Sequence, residues 1–106
     1  MFGDVKNVVT KFAFATRVGF IPNNPYKQNQ DSFILAPNML NQPALHYFGV
    51  ADGHGQFGKE VSNYIKAALP INVEDELKTA TPNIHNALKT SFIKCNTDLL
   101  KHTPDP

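Results

Sequence analysis

The run Phe48-Gly49-Val50-Ala51-Asp52-Gly53-His54-Gly55-Gln56-Phe57-Gly58 constrains this chain more than any other stretch. It reads as a buried strand that stops abruptly at an acid, a glycine and a histidine. A carboxylate at a strand's end, with glycine carbonyls beside it, suits a hard divalent cation, because Mg2+ and similar ions take oxygen ligands. The adjacent His54 is suited to moving a proton near such an ion. Taken alone, Asp52-Gly53 reads first as a turn dipeptide; the surrounding Gly/His pattern and the upstream acidic element reverse that. A second acidic element, Asn29-Gln30-Asp31-Ser32-Phe33-Ile34-Leu35, lies upstream and is also joined to an apolar, strand-like run. Its Asn29 and Asp31 can also be read as simple strand-edge or turn polar groups.

The elements around these runs follow from periodicity. Phe12, Phe14, Thr16 and Val18 alternate with Lys11, Ala13, Ala15 and Arg17, which predicts a first strand. Residues 1–10 are weakly patterned, a short helix or a loose lead-in. Ile21-Pro22-Asn23-Asn24-Pro25-Tyr26 reads as a loop. Asp31 to Ala36 and Leu45 to Ala51 read as strands two and three. The turn region between them, around Met39-Leu40, is short enough for an antiparallel pair. A helix is expected from about Gly58, with Val61, Tyr64, Ile65, Ala68 and Leu69 on one apolar face. Pro70 is expected to end or kink it. A second helix is expected with Thr81 as N-cap and Pro82 at its first position. Ile84, Leu88, Phe92 and Cys95 are expected on its buried face, extended by Leu99. Strands followed by two helices on one sheet face make an α+β pattern.

With 106 residues the chain has room for one small domain. Ten basic residues against nine acidic ones give a net charge of +1, which argues against a nucleic-acid binder built on a basic face. The single cysteine, Cys95, excludes an internal disulfide and fits a reducing compartment. Its place on an apolar helical face points to core packing. No stretch approaches the ~20 apolar residues of a membrane helix. Lys6 and Lys11 break up any signal-peptide core, and Phe2 removes an N-myristoylation start. A soluble protein of the cytoplasm or nucleus is the expectation. Gly55 and Gly58 suit a tight strand-to-helix turn. A phosphate loop of the GxxxxGK[ST] type is excluded, since Glu60 follows Lys59.

Two segments, Lys27-x-Asn29-Gln30-Asp31-Ser32-Phe33 and Gly49-Val50-x-Asp52-Gly53-His54-Gly55-x-x-Gly58, together resemble the N-terminal motifs of the type 2C metal-dependent Ser/Thr protein phosphatases. The resemblance runs from about Arg17 to about Leu100. It implies the N-terminal portion of an α/β/β/α four-layer sandwich, in which residues 1–106 form a single partial domain. It implies hydrolysis of phosphoserine and phosphothreonine in phosphoprotein substrates, by attack of a water activated on two Mg2+ or Mn2+ ions. By resemblance Asp52 bridges the two metals, Gly53 offers a backbone carbonyl, and Asp31 binds metal largely through water. His54 protonates the leaving alcohol, and Lys27 contacts the substrate phosphate where the family commonly has Arg. Arg17 is a weaker candidate for that contact. Gln30 stands where some members have an acid, and can hydrogen-bond a metal-held water without adding charge. His46, His85 and His102 are read as structural. Lys27 can equally be a solvated loop lysine.

Two further metal-binding aspartates of the family, later in its sequence, have no counterpart here. The 106 residues alone are therefore expected to be inactive, an N-terminal piece of an enzyme. The rival expectation is a truncated or pseudophosphatase module acting in binding or regulation. Sheet edges and an apolar sheet face left without partners are expected to favour self-association.

Overall fold

A computed structural model of the chain describes residues 9–79 and 81–102. Most of the weakly patterned lead-in, residues 1–8, lies outside these. The described elements are strand β1 (Ser32–Ala36), a single 3-10 turn (Met39–Asn41), strand β2 (Tyr47–Ala51), helix α1 (Gly58–Leu77) and helix α2 (Ile84–His102). This is the α+β order read from the sequence. The Cα atoms extend over 54 × 34 × 17 Å. Packed layers stand about 10 Å apart, so the thinnest dimension holds two layers and not four. The arrangement is small and incomplete.

β1 and β2 form a two-stranded antiparallel sheet with Ser32 opposite Ala51, Ile34 opposite Gly49 and Ala36 opposite Tyr47. Side chains alternate across a strand, so these residues share the face that meets α1. Gly49 leaves room for Ile34, whose Cδ1 lies 3.3 Å from where a Cβ at Gly49 would stand. Ile34 is thereby buried with Met39, Leu69, Val73, Leu77, Ala87 and Cys95 in one core. The connection closes through Met39 N–H to Leu45 O, with Leu40 and Asn41 in left-handed conformations at φ 54° and 56°. Burial of Met39 holds this turn in place.

The expected first strand does not form a ladder. Residues 9–20 belong to no strand. The alternation still marks an extended segment with one apolar side. Phe12 packs on Phe48 at 5.1 Å and Phe14 on Phe33 at 4.7 Å between ring centroids. The segment therefore lies over part of the sheet face opposite α1 and leaves Val50 exposed. Side-chain alternation reports which side is apolar, but not whether the backbone finds an edge to pair with.

Helix α1 does not end at Pro70; it runs on to Leu77. A mid-helix proline costs about 3 kcal/mol or more. Val73 and Leu77, both buried beyond it, each return roughly 1.5–3 kcal/mol, which is enough to carry the helix through. Helix α2 is capped by Asn83 and not by Thr81: the Asn86 N–H donates to Asn83 Oδ1 at 3.1 Å, and the Ala87 N–H to Asn83 O at 2.9 Å. Asn is among the strongest caps, and Pro82 sits just before it. The face turned to the core also differs from the expectation. Ala87, Ser91 and Cys95 are buried and Leu88 and Leu99 half-buried, while Ile84 and Phe92 are 51% and 55% exposed. α2 lies chiefly against α1, and close helix contact selects small residues where a hydrophobicity pattern selects large ones.

Candidate functional site

The strand register builds this site. Ser32 and Ala51 are the last paired residues at one end of the sheet. Asp31 and Asp52 come one step further on the two strands, so the two acids leave the same sheet end side by side. Both are exposed. They line a cavity of about 430 Å3 together with Gly53, Lys27, Arg17 and Gly19. The structure thus brings the two acids, the glycine and both cationic candidates to one place. His54 follows Gly53 on the same loop and is exposed, but does not line that cavity.

Close backbone packing fixes the loop after β2. A Cβ on Gly53 would collide with the Gly58 carbonyl oxygen and stand 2.5 Å from Gln30 O. Gly53 is therefore needed because two other backbone segments press against it, not for a turn conformation. Gly55 does take a positive φ of 81° with open space around it, the left-handed geometry glycine favours. Gly58 is buried, and a Cβ there would meet the Gln30 side chain at 2.9 Å.

Gln30 has a task the sequence did not disclose. Its Nε2 donates to Gly55 O at 2.7 Å. The amide fastens the Asp52–Gly58 loop to the residue before Asp31. An acid in its place has no proton to give that carbonyl at neutral pH. Other bonds that the sequence did not disclose hold Asp31 and the turn around it. Lys59 Nζ, at the start of α1, donates to Asp31 O at 3.1 Å. Ser32 Oγ donates to Asn63 Oδ1 and stands 3.0 Å from Ser62 Oγ, tying the start of β1 to α1. Asn29 accepts from the Asp31 N–H at 3.1 Å through Oδ1 and donates from Nδ2 to Thr16 Oγ1 at 2.8 Å, tying the extended segment to the same turn. The only signal in the sequence was the concentration of short polar residues around Asp31. Lys27 is accommodated by Gly19, where a Cβ would stand 3.0 Å from Lys27 Nζ.

Among the histidines read as structural, His46 bears that out. Its Nδ1 lies 2.7 Å from Pro37 O, and its ring stacks on Phe48. Cys95 is a buried free thiol. Burial, and then Asp98, push its pKa up, as expected of a core residue and not of a nucleophile.

Comparison with known proteins finds relatives of one kind. The chain is 31% identical over 88 residues to a probable protein phosphatase 2C 35 of Arabidopsis thaliana, a match covering 83% of this chain and 25% of that protein. It is 31% identical over 64 residues to a probable protein phosphatase 2C 6 of the same plant, covering 60% of this chain and 13% of the relative. A probable protein phosphatase 2C 18, also of Arabidopsis thaliana, matches at 30% over 60 residues. The chain is a type 2C protein phosphatase-like region. No family model and no solved structure matches it. The type 2C-like region spans a quarter or less of the length of these relatives. Among the described residues no helix is long and apolar enough to cross a membrane.

The donors at the sheet end are all oxygen: two carboxylates and, at Gly53, a carbonyl. That set fits a hard divalent ion that keeps several of its waters. No group of three or more His, Cys, Asp or Glu residues that could hold a metal occurs among the described residues. Any ion here would rest on two acids of this region.

Proposed function

We propose that the protein to which this chain belongs hydrolyses phosphoserine and phosphothreonine in proteins, using Mg2+ or Mn2+. Asp31 and Asp52 would hold the ions with the Gly53 carbonyl. When bound, such ions supply Lewis acidity and lower the pKa of water. Lys27, with its ammonium against Gly19 on the same cavity, steadies the substrate phosphate as a point charge. His54 gives a proton to the departing serine or threonine oxygen. Gln30 and Lys59 act on neither substrate nor metal; they hold the loop and the Asp31 backbone that carry the donors. The observation that carries this reading is the register, which sets Asp31 and Asp52 at one sheet end on the cavity that Lys27 also lines.

The test is hydrolysis of a phosphothreonine peptide by the full-length protein with Mn2+ or Mg2+, and again with a chelator. Asp52→Asn keeps the shape and removes the charge. Turnover near that of the unsubstituted protein would refute the role of Asp52. The 106 residues taken alone form a non-catalytic module in this proposal, because they bring two acids and span a quarter of a relative's length.

A further inference from the structure

Beside the polar cavity lies a second one, of about 300 Å3, that the proposed chemistry does not use. Val18, Phe20, Ile21 and Pro25 give it an apolar lining. Gly19, Asn24 and Lys27 line both cavities, so the two adjoin at Lys27. The loop between residues 18 and 27 is a built structure. Pro22 followed by Asn23 at φ 65° is the type II turn pattern, closed by Asn24 N–H to Ile21 O at 3.1 Å. The Tyr26 N–H donates to Asn24 Oδ1 at 3.3 Å. This turn leaves Phe20 and Tyr26 89% and 91% exposed. Both rings thus stand free beside the cavities, where a bound ligand would meet them. The charge pattern narrows what that is. No Asp or Glu lines this second cavity, and Lys27 is the one charged residue of its lining; Asp31 and Asp52 line the polar cavity beside it. The apolar cavity has nothing to pair with a basic side chain, and Lys27 repels one.

From this we infer that the Val18–Lys27 loop is a specificity site of the proposed phosphatase, and that it receives an apolar side chain of the phosphopeptide substrate next to the phosphorylated residue. The inference rests on the proposed function: the phosphate lies at Lys27, and the peptide leaves it over Phe20 and Ile21. Preformed turns keep the loop in its binding shape, so little order is lost when the peptide docks.

The test uses the full-length protein and three phosphothreonine peptides that differ only in the adjacent residue: Leu, Ala or Lys. Hydrolysis of p-nitrophenyl phosphate is measured alongside. The Leu peptide is expected to exceed the Ala peptide roughly tenfold in kcat/KM, the scale on which an apolar pocket discriminates, and mostly through KM. The Lys peptide should be the poorest. Phe20→Ser and Ile21→Ser should bring the Leu and Ala peptides to near parity, with p-nitrophenyl phosphate turnover unchanged; Phe20→Leu should restore the preference. Both substituted side chains lie on the exposed loop, so unchanged small-ester turnover also reports an intact fold. Parity of the three peptides on the unsubstituted protein, a preference for Lys, or a Leu preference that survives both serine variants overturns the inference while leaving the phosphatase reading in place. Absence of any metal-dependent hydrolysis, p-nitrophenyl phosphate included, overturns both.

Discussion

Three glycines near the site separate three physical causes, and Gly53→Ala is the informative substitution. A Cβ there would overlap the Gly58 carbonyl oxygen and stand 2.5 Å from Gln30 O and 2.8 Å from the Gly58 carbonyl carbon. All three are backbone atoms, and none can swing aside as the end of a side chain can. Comfortable contact begins at about 3.5 Å, so the loop must move by roughly 1 Å. Forced overpacking of this kind typically costs about 1–3 kcal/mol and sometimes more. A 1 Å misplacement of groups around a reaction can also lower its rate ~100-fold. Gly55→Ala meets no atom within 4 Å but must hold φ 81°, which costs roughly 1–2 kcal/mol. Gly49→Ala meets only the Ile34 side chain, closest at its Cδ1 at 3.3 Å, and stiffening the unfolded chain by about 0.4–1 kcal/mol offsets much of that. Denaturant unfolding of the full-length protein should therefore rank the losses Gly53→Ala, then Gly55→Ala, then Gly49→Ala. Metal-dependent hydrolysis should fall most sharply for Gly53→Ala. If Gly53→Ala proved as stable and as active as Gly49→Ala, the argument from backbone crowding would be wrong.

Further outcomes are expected. His54→Ala should slow release of a threonine alkoxide more than of a nitrophenolate, because a weakly basic leaving group needs little protonation; equal losses on phosphothreonine peptide and p-nitrophenyl phosphate would remove the general-acid role. The isolated 106-residue chain should be inert towards phosphopeptide in millimolar Mn2+ and should associate with rising concentration in sedimentation, since Phe48 and Val50 on the outer sheet face are exposed; a monomer with enzyme-like turnover would contradict both. Burial and then Asp98 raise the Cys95 pKa, and burial and then Cys95 raise that of Tyr47. Groups raised in the folded state add stability below their unfolded pKa and lose it as pH climbs through the folded one. Stability should thus hold up to the thiol's ordinary value of about 8.5 and decline above it, less so in Cys95→Ala relative to its own neutral-pH stability; an equal alkaline decline in that variant would count against the thiol's part.

Much of the site was legible because its residues are close in sequence to the ends of strands. Asp31 precedes β1 and Asp52 follows β2, and a short connection between two apolar runs leaves little choice but an antiparallel pair. Pairing then brings the acids together without any long-range information. The supporting groups were not legible, because they depend on which backbone atom a side chain meets. Gln30 looks like a neutral stand-in for an acid until Gly55 O is seen 2.7 Å from its amide. Lys59 looks like an exposed helix residue until its ammonium is found on Asp31 O. The same limit explains the helices. Asn83 and Thr81 are both plausible caps by type, and only the bond to the Asn86 N–H chooses between them. Phe92 fits the apolar stripe by spacing, yet Ser91 is the residue buried, because a small side chain lets the helices close.

The charges around the cavity bear on what this region does by itself. Asp31 and Asp52 bring two negative charges to its wall; Arg17 and Lys27 bring two positive ones. The formal charges cancel before any ion arrives. Hard divalent cations draw their affinity from the number of carboxylates around them and otherwise keep their water. A pair of such ions, with four positive charges, would meet a wall of no net charge and gain little over bulk solvent. In the proposed enzyme the balance must be redressed by acids from outside these residues. Lys27 and Arg17 then take their place as binders of the phosphate that the ions also attract. The same wall suits a regulatory piece poorly as a metal sensor, since its two acids are offset by two cations. In the proposed enzyme, the register, the crowded glycines and the Gln30 bond instead prepare one half of a site, and acids from outside these residues supply the other.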